Sequence, residues 1–164
     1  MPLNVSVRRL PHQPSPVPQS VAHVALLVPD YDQALAFYRD VLGFVVLADD
    51  ALGGGKRWVL VAPPGGAGAA LLLARAATPA QAARVGDQAG GRVFLFLHTD
   101  DFARDHAALR ARGVAFAEAP RREAYGTVAV FTDPYGNRWD LLEPASPGCD
   151  RPPMTPNVRP PTAT

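Results

Sequence analysis

The chain contains two segments with the same internal spacing, and this repeat constrains its fold more than any other feature. Val28-Pro29-Asp30 and His98-Thr99-Asp100 lie 70 residues apart. Each is followed by a glycine, Gly43 or Gly113, that ends a helical pattern. The spacing predicts one βαβββ unit written twice. Two copies of a curved module can enclose a cavity between them, and such cavities bind small molecules.

Within each unit the residue pattern predicts a strand, a helix and three further strands, an α+β fold. The helices are expected to begin at N-caps, Asp30 in the first unit and Asp100 or Asp101 in the second. The alanine-rich stretch 78–88 predicts a short connecting helix. The predicted strands cover residues 21–28, 44–48, 57–62, 69–75, 92–98, 114–118, 127–132 and 138–143.

Proline content indicates the domain boundaries. Five of the 18 prolines lie in residues 1–20 and seven lie in residues 144–164, and this density disfavours both helix and sheet hydrogen bonding. We therefore expect disordered tails around one folded domain. The expected boundaries are 1–20 for the first tail, 21–145 for the domain, about 21–75 and about 92–144 for its two modules, and 146–164 for the second tail.

Composition excludes several classes of partner. The chain has 16 basic and 15 acidic residues, so it presents no field of one sign that would recruit nucleic acid or an anionic membrane. Cys149 is the single cysteine and cannot form an intramolecular disulfide, which fits a reducing compartment. The sequence shows neither a signal-peptide pattern nor a long apolar run. We expect a soluble, cytoplasmic protein.

Two sequence stretches carry a family resemblance. HVALLVPDYDQALAFYRDVLGF and, much later, AVFTDPYGNRWDLLEP resemble the vicinal oxygen chelate superfamily, which contains glyoxalase I, extradiol dioxygenases and the bleomycin-resistance binding proteins. The resemblance implies two tandem βαβββ modules that form a cup of curved mixed sheet. In the enzymes of this superfamily, four side chains from the cup hold a divalent metal. Single-chain cups of this type commonly pair, so the resemblance also implies a homodimer.

The resemblance implies four metal-ligand positions, and only two of them carry a side chain that can bind a metal. The first falls on His23 and the fourth, in the pattern DPYGNRWD, falls on Asp140. The second falls on Ala70, and the third falls on Phe94 or, by the internal repeat, on Val93. Metal centres normally use at least three protein ligands, so we expect no cofactor.

A rearranged metal site is the alternative. It would hold Zn, Ni, Fe or Mn through His23 and Asp140, with His98 as a possible third ligand. Without metal, His23 and Asp140 remain candidates for acid–base catalysis.

The remaining candidate site residues predict an apolar or aromatic ligand, because most of them are large hydrophobic side chains expected on the inner face of the strands. Arg138 is the exception: it can meet an anionic ligand group, pair with Asp133, or lie on the outer surface. The candidate ligand-binding residues are Leu27, Trp58, Leu72, Phe94, Phe96, His98, Tyr125, Arg138, Trp139 and Leu142.

Three functions are consistent with these features. The first is a metal-independent protein that binds a small molecule in the manner of the bleomycin-resistance proteins. The second is an enzyme, a lyase, isomerase or dioxygenase, that uses a rearranged metal site or the acid–base pair His23 and Asp140. The third is a structural or regulatory cup without turnover.

Overall fold

The computed structural model of the protein describes residues 19–66 and 68–145. Apart from Gln19 and Ser20, the two proline-rich tails lie outside the described residues, as does Cys149. The first module contains β1 (His23–Val28), α1 (Tyr31–Leu35), a π-helical segment (Ala36–Val41), β2 (Val45–Gly53), β3 (Lys56–Ala62) and β4 (Ala70–Arg75). After the short helix α2 (Pro79–Ala82), the second module contains β5 (Val93–His98), α3 (Phe102–Ala111), β6 (Ala115–Phe116), β7 (Arg121–Glu123), β8 (Gly126–Thr132) and β9 (Arg138–Pro144).

Each module forms its own mixed sheet. The first has the strand order β1-β4-β3-β2, and the second has the order β5-β9-β8-β6 with β7 also paired to β8. The pairs β1/β4 and β5/β9 are parallel, whereas the other pairs are antiparallel. The prediction of an α+β fold built from two βαβββ modules is confirmed. No helix among the described residues is long and apolar enough to cross a bilayer.

Local sequence signals explain where the helices begin and end. The side chain of Asp30 caps α1 by accepting hydrogen bonds from the backbone N–H groups of Asp32 and Gln33. The side chain of Asp101 caps α3 by accepting a hydrogen bond from the N–H of Arg104. These bonds satisfy N–H groups that have no partner within the helix. Gly43 and Gly113 both have positive φ, 79° and 85°, as expected for residues that end a helix.

Several elements differ from their predicted extents. The β2 strand continues to Gly53 because two irregularities in its pairing with β3 absorb the extra residues. The stretch predicted as a connecting helix is helical only at Pro79–Ala82 and continues as turns. The first helix changes to π geometry after Leu35. The short strand β7 was not predicted.

The two sheets share one hydrophobic core. It contains alternating residues of the first sheet, such as Leu26 and Val59, together with Phe131, Trp139 and Leu141 of the second sheet. Tyr38, on the π-helical segment of the first module, lies 6.0 Å from Trp139 between ring centroids. Because successive strand residues point to opposite faces, the other face of each sheet lies outside this shared core. We call these two surfaces the outer faces.

The segment that connects the modules is fixed to both of them. The side-chain amide of Gln88 pairs with the edge of β1: its Oε1 accepts from the N–H of Leu27 at 2.6 Å, and its Nε2 donates to the carbonyl of Ala25 at 3.1 Å. Gly86 lies against the turn that joins β8 and β9, where a Cβ on this glycine would be 1.8 Å from the carbonyl oxygen of Tyr135. The connection therefore sets the position of one module relative to the other.

Candidate functional site

Strand pairing brings the candidate ligand positions together in pairs on the outer faces. His23 of β1 lies opposite Ala70 of β4 in the first sheet. Phe96 of β5 lies opposite Asp140 of β9 in the second sheet. In each sheet one residue of the pair has a side chain able to bind a metal and the other does not.

Neither residue predicted for the third ligand position lies opposite Asp140. The ladder between β5 and β9 is irregular between Val93 and Leu95, which leaves Phe94 as the extra residue, packed against the core. Val93 pairs with Arg138 rather than with Asp140. Phe96 is therefore the residue that faces Asp140, and an inserted residue of this kind shifts every side chain that precedes it along the strand.

Asp140 lines a hollow of about 370 Å³ on the outer face of the second sheet. Phe96, with 59% of its surface exposed, forms one apolar wall beside Val130. Arg92, Arg121 and Arg138 provide the positive charge, and Glu118 the second carboxylate. We call this surface, which Gly91 and Val93 complete, the Asp140 hollow. It combines an aromatic surface with charged groups of both signs.

Asp140 is the most unusual polar group in the hollow. It is only 6% exposed, and its Oδ1 has no hydrogen-bond partner among the described residues. Burial raises the pKa of Asp140, while Arg121 and Arg138 lower it and Glu118 raises it further. Buried carboxylates normally find a partner, so an incompletely paired carboxylate on a residue that lines a hollow is a candidate for contact with a ligand.

Arg121 and Arg138 differ in their ion pairing. Arg121 pairs with Glu118 and with Glu123, both at 2.9 Å. Arg138 is exposed and makes no ion pair or side-chain hydrogen bond within the described part of the chain. Of the three roles predicted for Arg138, pairing with Asp133 does not occur, because the Asp133 carboxylate accepts hydrogen bonds from Tyr38 and Asn137 instead.

The structure does not bring all three candidate polar residues together. His23 is exposed on the outer face of the first sheet, with its ring centroid 6.1 Å from that of Trp58. His98 lies at the end of β5 and lines a different groove, of about 570 Å³, between the modules. Neither histidine lines the Asp140 hollow. One chain therefore holds His23 and Asp140 on separate surfaces.

The other predicted ligand-binding residues differ in how far their side chains are exposed. Leu27, Leu72 and Leu142 are half-buried on the outer faces, and Tyr125 is exposed next to β8. Trp139 differs from its expected role: it is 3% exposed and lies in the core, because it alternates with Arg138 and Asp140 along β9.

The donor set does not fit a divalent metal within one chain. His23 and Asp140 belong to different surfaces, and their strand partners Ala70 and Phe96 carry no ligand atom. Among residues 19–66 and 68–145, no group of three or more histidine, cysteine, aspartate or glutamate side chains could hold a metal ion. Protein metal centres normally use at least three such ligands.

Sequence reasoning missed four residues that matter for the site. Arg92, Glu118 and Arg121 line the Asp140 hollow, and Gln88 holds the edge of β1. Glu118 and Arg121 lie near or within the short strands β6 and β7, and Arg92 directly precedes β5. A possible signal was the charged run Arg121-Arg122-Glu123 inside a module that otherwise has apolar strands.

Comparison with known proteins shows which family the chain resembles in sequence and in structure. The model for the Glyoxalase/Bleomycin resistance protein/Dioxygenase superfamily matches residues 20–141. An uncharacterized protein from Shewanella frigidimarina (strain NCIMB 400) is 53% identical over 126 residues, which are 76% of this chain and 93% of the relative.

Two solved structures have the same fold. UcmS2 has a TM-score of 0.67 at 29% identity and covers 77% of this chain and 99% of its own. TnmS3, an antibiotic binding protein from Streptomyces sp. CB03234, has a TM-score of 0.63 at 33% identity and covers 80% of this chain and 99% of its own. The chain belongs to the glyoxalase/bleomycin resistance protein/dioxygenase superfamily.

Proposed function

We propose that this protein binds a small apolar or aromatic molecule without a metal ion, between the outer face of the first sheet and the outer face of the second. The ligand is held for sequestration rather than converted. Each step of the proposal has a separate support in the structure.

The observation that carries the proposal is the exposed aromatic side chain on each of the two outer faces. Trp58 is 37% exposed and Phe96 is 59% exposed. Exposed aromatic residues that lie beside half-buried aliphatic side chains mark binding surfaces in soluble proteins. The half-buried aliphatic residues of these faces include Leu27, Leu72 and Leu142.

A second copy of the chain is needed to close the site. The inner faces of both sheets pack into one core, so the outer faces of a single chain do not cover each other. In a two-fold dimer, the first sheet of one copy can cover the second sheet of its partner, and symmetry then produces two equal cups. This arrangement would place Trp58 and His23 of one copy opposite Phe96 and Asp140 of the other. We therefore propose a homodimer.

Metal independence is supported by the residues at the four positions. Even in a closed cup, His23 and Asp140 would be joined by Ala70 and Phe96, which have no ligand atoms. The similarity to TnmS3, described as an antibiotic binding protein, supports small-molecule binding as the function of this chain. An antibiotic-like planar molecule is accordingly the ligand class to test first.

An enzyme is the second candidate, and one observation favours it. Asp140 is buried, has an unpaired oxygen and has a raised pKa, a combination that is typical of catalytic carboxylates. Across a dimer cup, His23 of the partner copy could exchange a proton with a ligand bound at Asp140. Loss of turnover in His23→Ala with unchanged ligand affinity would distinguish this function from sequestration.

The proposal is tested by calorimetric titration with planar aromatic compounds, beginning with 2-naphthol. The protein is first dialysed against EDTA and then, in parallel samples, supplied with Zn, Ni, Fe or Mn. We expect the same affinity in all samples, and at least about tenfold weaker binding in Trp58→Ala and Phe96→Ala. Leu52→Ala is the matched control, because Leu52 is 57% exposed but lies at the β2 hairpin. Binding that requires metal would contradict the proposal.

A further inference from the structure

We infer that the Asp140 hollow selects a planar aromatic ligand that carries an acidic group at one end and a hydrogen-bond donor at the other. This inference rests on the proposed function and specifies its ligand. It follows from three groups in the hollow whose interactions are incomplete.

The first group is the carboxylate of Asp140. Its Oδ1 is buried and has no partner among the described residues, although Asp140 lines the hollow. An ionised carboxylate only accepts hydrogen bonds. A ligand hydroxyl or N–H group placed against this carboxylate would gain a charge-assisted hydrogen bond, whereas a ligand without a donor would leave the carboxylate incompletely paired.

The second group is the pair of guanidinium groups of Arg92 and Arg138. Both residues line the hollow and are exposed. Neither makes an ion pair within the part of the chain that the structure describes. Arg121, the third arginine, is already paired with Glu118 and Glu123. Positive charge thus remains available for a carboxylate or similar acid on the ligand.

The third group is the ring of Phe96, which lies opposite Asp140 and is 59% exposed. It offers a flat apolar surface for an aromatic ring. Arg138 and Asp140 are two residues apart on the same face of β9, which separates their backbones by about 7 Å. This spacing favours a ligand whose acid and donor lie at opposite ends of a rigid ring system over one that carries them on neighbouring atoms.

Four naphthalene compounds test each part of this ligand description. They are 6-hydroxy-2-naphthoate, which has both groups, 2-naphthoate, which lacks the donor, 2-naphthol, which lacks the acid, and naphthalene, which lacks both. Affinities are measured at pH 8 in EDTA. We expect 6-hydroxy-2-naphthoate to bind at least about tenfold more tightly than either 2-naphthoate or 2-naphthol.

Substitutions assign each preference to a residue. The double variant Arg92→Gln/Arg138→Gln should reduce the affinity for 6-hydroxy-2-naphthoate to about that for 2-naphthol, because both unpaired guanidinium groups of the hollow are then removed. Asp140→Ala should remove the preference for the hydroxyl group, whereas Asp140→Asn should keep part of it, since the amide oxygen still accepts. Arg122→Gln is the control: Arg122 is an exposed arginine of β7 that does not line the hollow, and its replacement should change no affinity.

The possible results separate this inference from the proposed function. Equal affinities for the four compounds would overturn the inference and leave the proposed binding of aromatic molecules intact. A preference for 2-naphthol over 6-hydroxy-2-naphthoate would also overturn it, since the hollow would then reject acids. Failure of all four compounds to bind would contradict both. Preferences that persist in Arg92→Gln/Arg138→Gln and in Asp140→Ala would show that other residues select the ligand, which would overturn the assignment to this hollow.

Discussion

The hydroxyl group of Tyr38 donates a hydrogen bond of 2.6 Å to the Asp133 carboxylate, and both residues are buried. This bond joins the π-helical segment of the first module to the β8–β9 turn of the second. Asp133 also accepts from the backbone N–H groups of Tyr135, Gly136 and Asn137 and from the side chain of Asn137. Burial and the Asp133 carboxylate raise the pKa of Tyr38 well above its usual range, so its hydroxyl remains a donor.

Tyr38→Phe should destabilise the protein by about 1–3 kcal/mol, because a buried hydrogen bond to a charged acceptor is lost without a change in ring packing. Chemical denaturation measures the free energy of unfolding. The control is Tyr125→Phe, since Tyr125 is 53% exposed and its replacement should have no measurable effect. Equal stability of Tyr38→Phe and wild type would show that the contact does not join the modules.

Gly86→Ala should be much more damaging than Gly90→Ala, although the two glycines belong to the same connection. Both have positive φ, 78° and 60°, which costs an alanine about 1–2 kcal/mol. At Gly86 the new Cβ would also collide with the Tyr135 carbonyl, whereas nothing lies within 4 Å at Gly90. We expect Gly86→Ala to lose at least about 2 kcal/mol more than Gly90→Ala. Similar losses would contradict the close contact between the connection and the turn.

Gln88→Ala should expose the edge of β1 to solvent. The N–H of Leu27 then loses its acceptor, and its hydrogen exchange should become faster. The global free energy of unfolding should fall by about 1 kcal/mol. Gln81→Ala is the matched control, because Gln81 bonds the N–H of Ala77 and its loss should leave Leu27 protected. Unchanged exchange at Leu27 in Gln88→Ala would contradict this role.

The fold could be predicted from sequence because each unit has strong local signals. The N-caps at Asp30 and Asp101 and the closing glycines Gly43 and Gly113 all depend on neighbouring residues. The two N-caps are 71 residues apart in the sequence, whereas the two closing glycines are 70 residues apart. The irregularity near Phe94, which inserts one residue into β5 before the cap, decides which side chains of β5 face the core. A repeat offset alone cannot supply it, because a shift of one residue reverses every side chain of a strand.

The candidate site was less predictable because it depends on contacts between distant segments. Asp140 could be located from the DPYGN turn, which forms a tight turn as its residue types indicate. Arg92 and Arg121 reach the same hollow through the folding of separate segments, and no local pattern records that. Trp139 was predicted to bind the ligand because it is aromatic, but its side chain is buried and packs in the core.

Asp140→Asn should raise stability at neutral pH, and the gain should shrink on acidification. Burial raises the pKa of Asp140 in the folded protein, so the stability that protonated Asp140 contributes is complete below its unfolded pKa of about 3.9. That contribution is lost as the pH rises through the folded pKa. Denaturation at pH 8 and at pH 4.5 measures the difference. A gain that is equal at both pH values would mean that the carboxylate is not destabilised by burial.

A mixing experiment tests most directly the central claim, that two copies of the chain build each binding site. Trp58→Ala damages the first sheet and Phe96→Ala damages the second, so each homodimer should bind 2-naphthol at least about tenfold more weakly. After mixing, unfolding together and refolding, each heterodimer should contain one intact cup, which restores about a quarter of the wild-type sites. Calorimetry that finds these sites at wild-type affinity would support the account. A mixture that binds no better than the separate variants would contradict it.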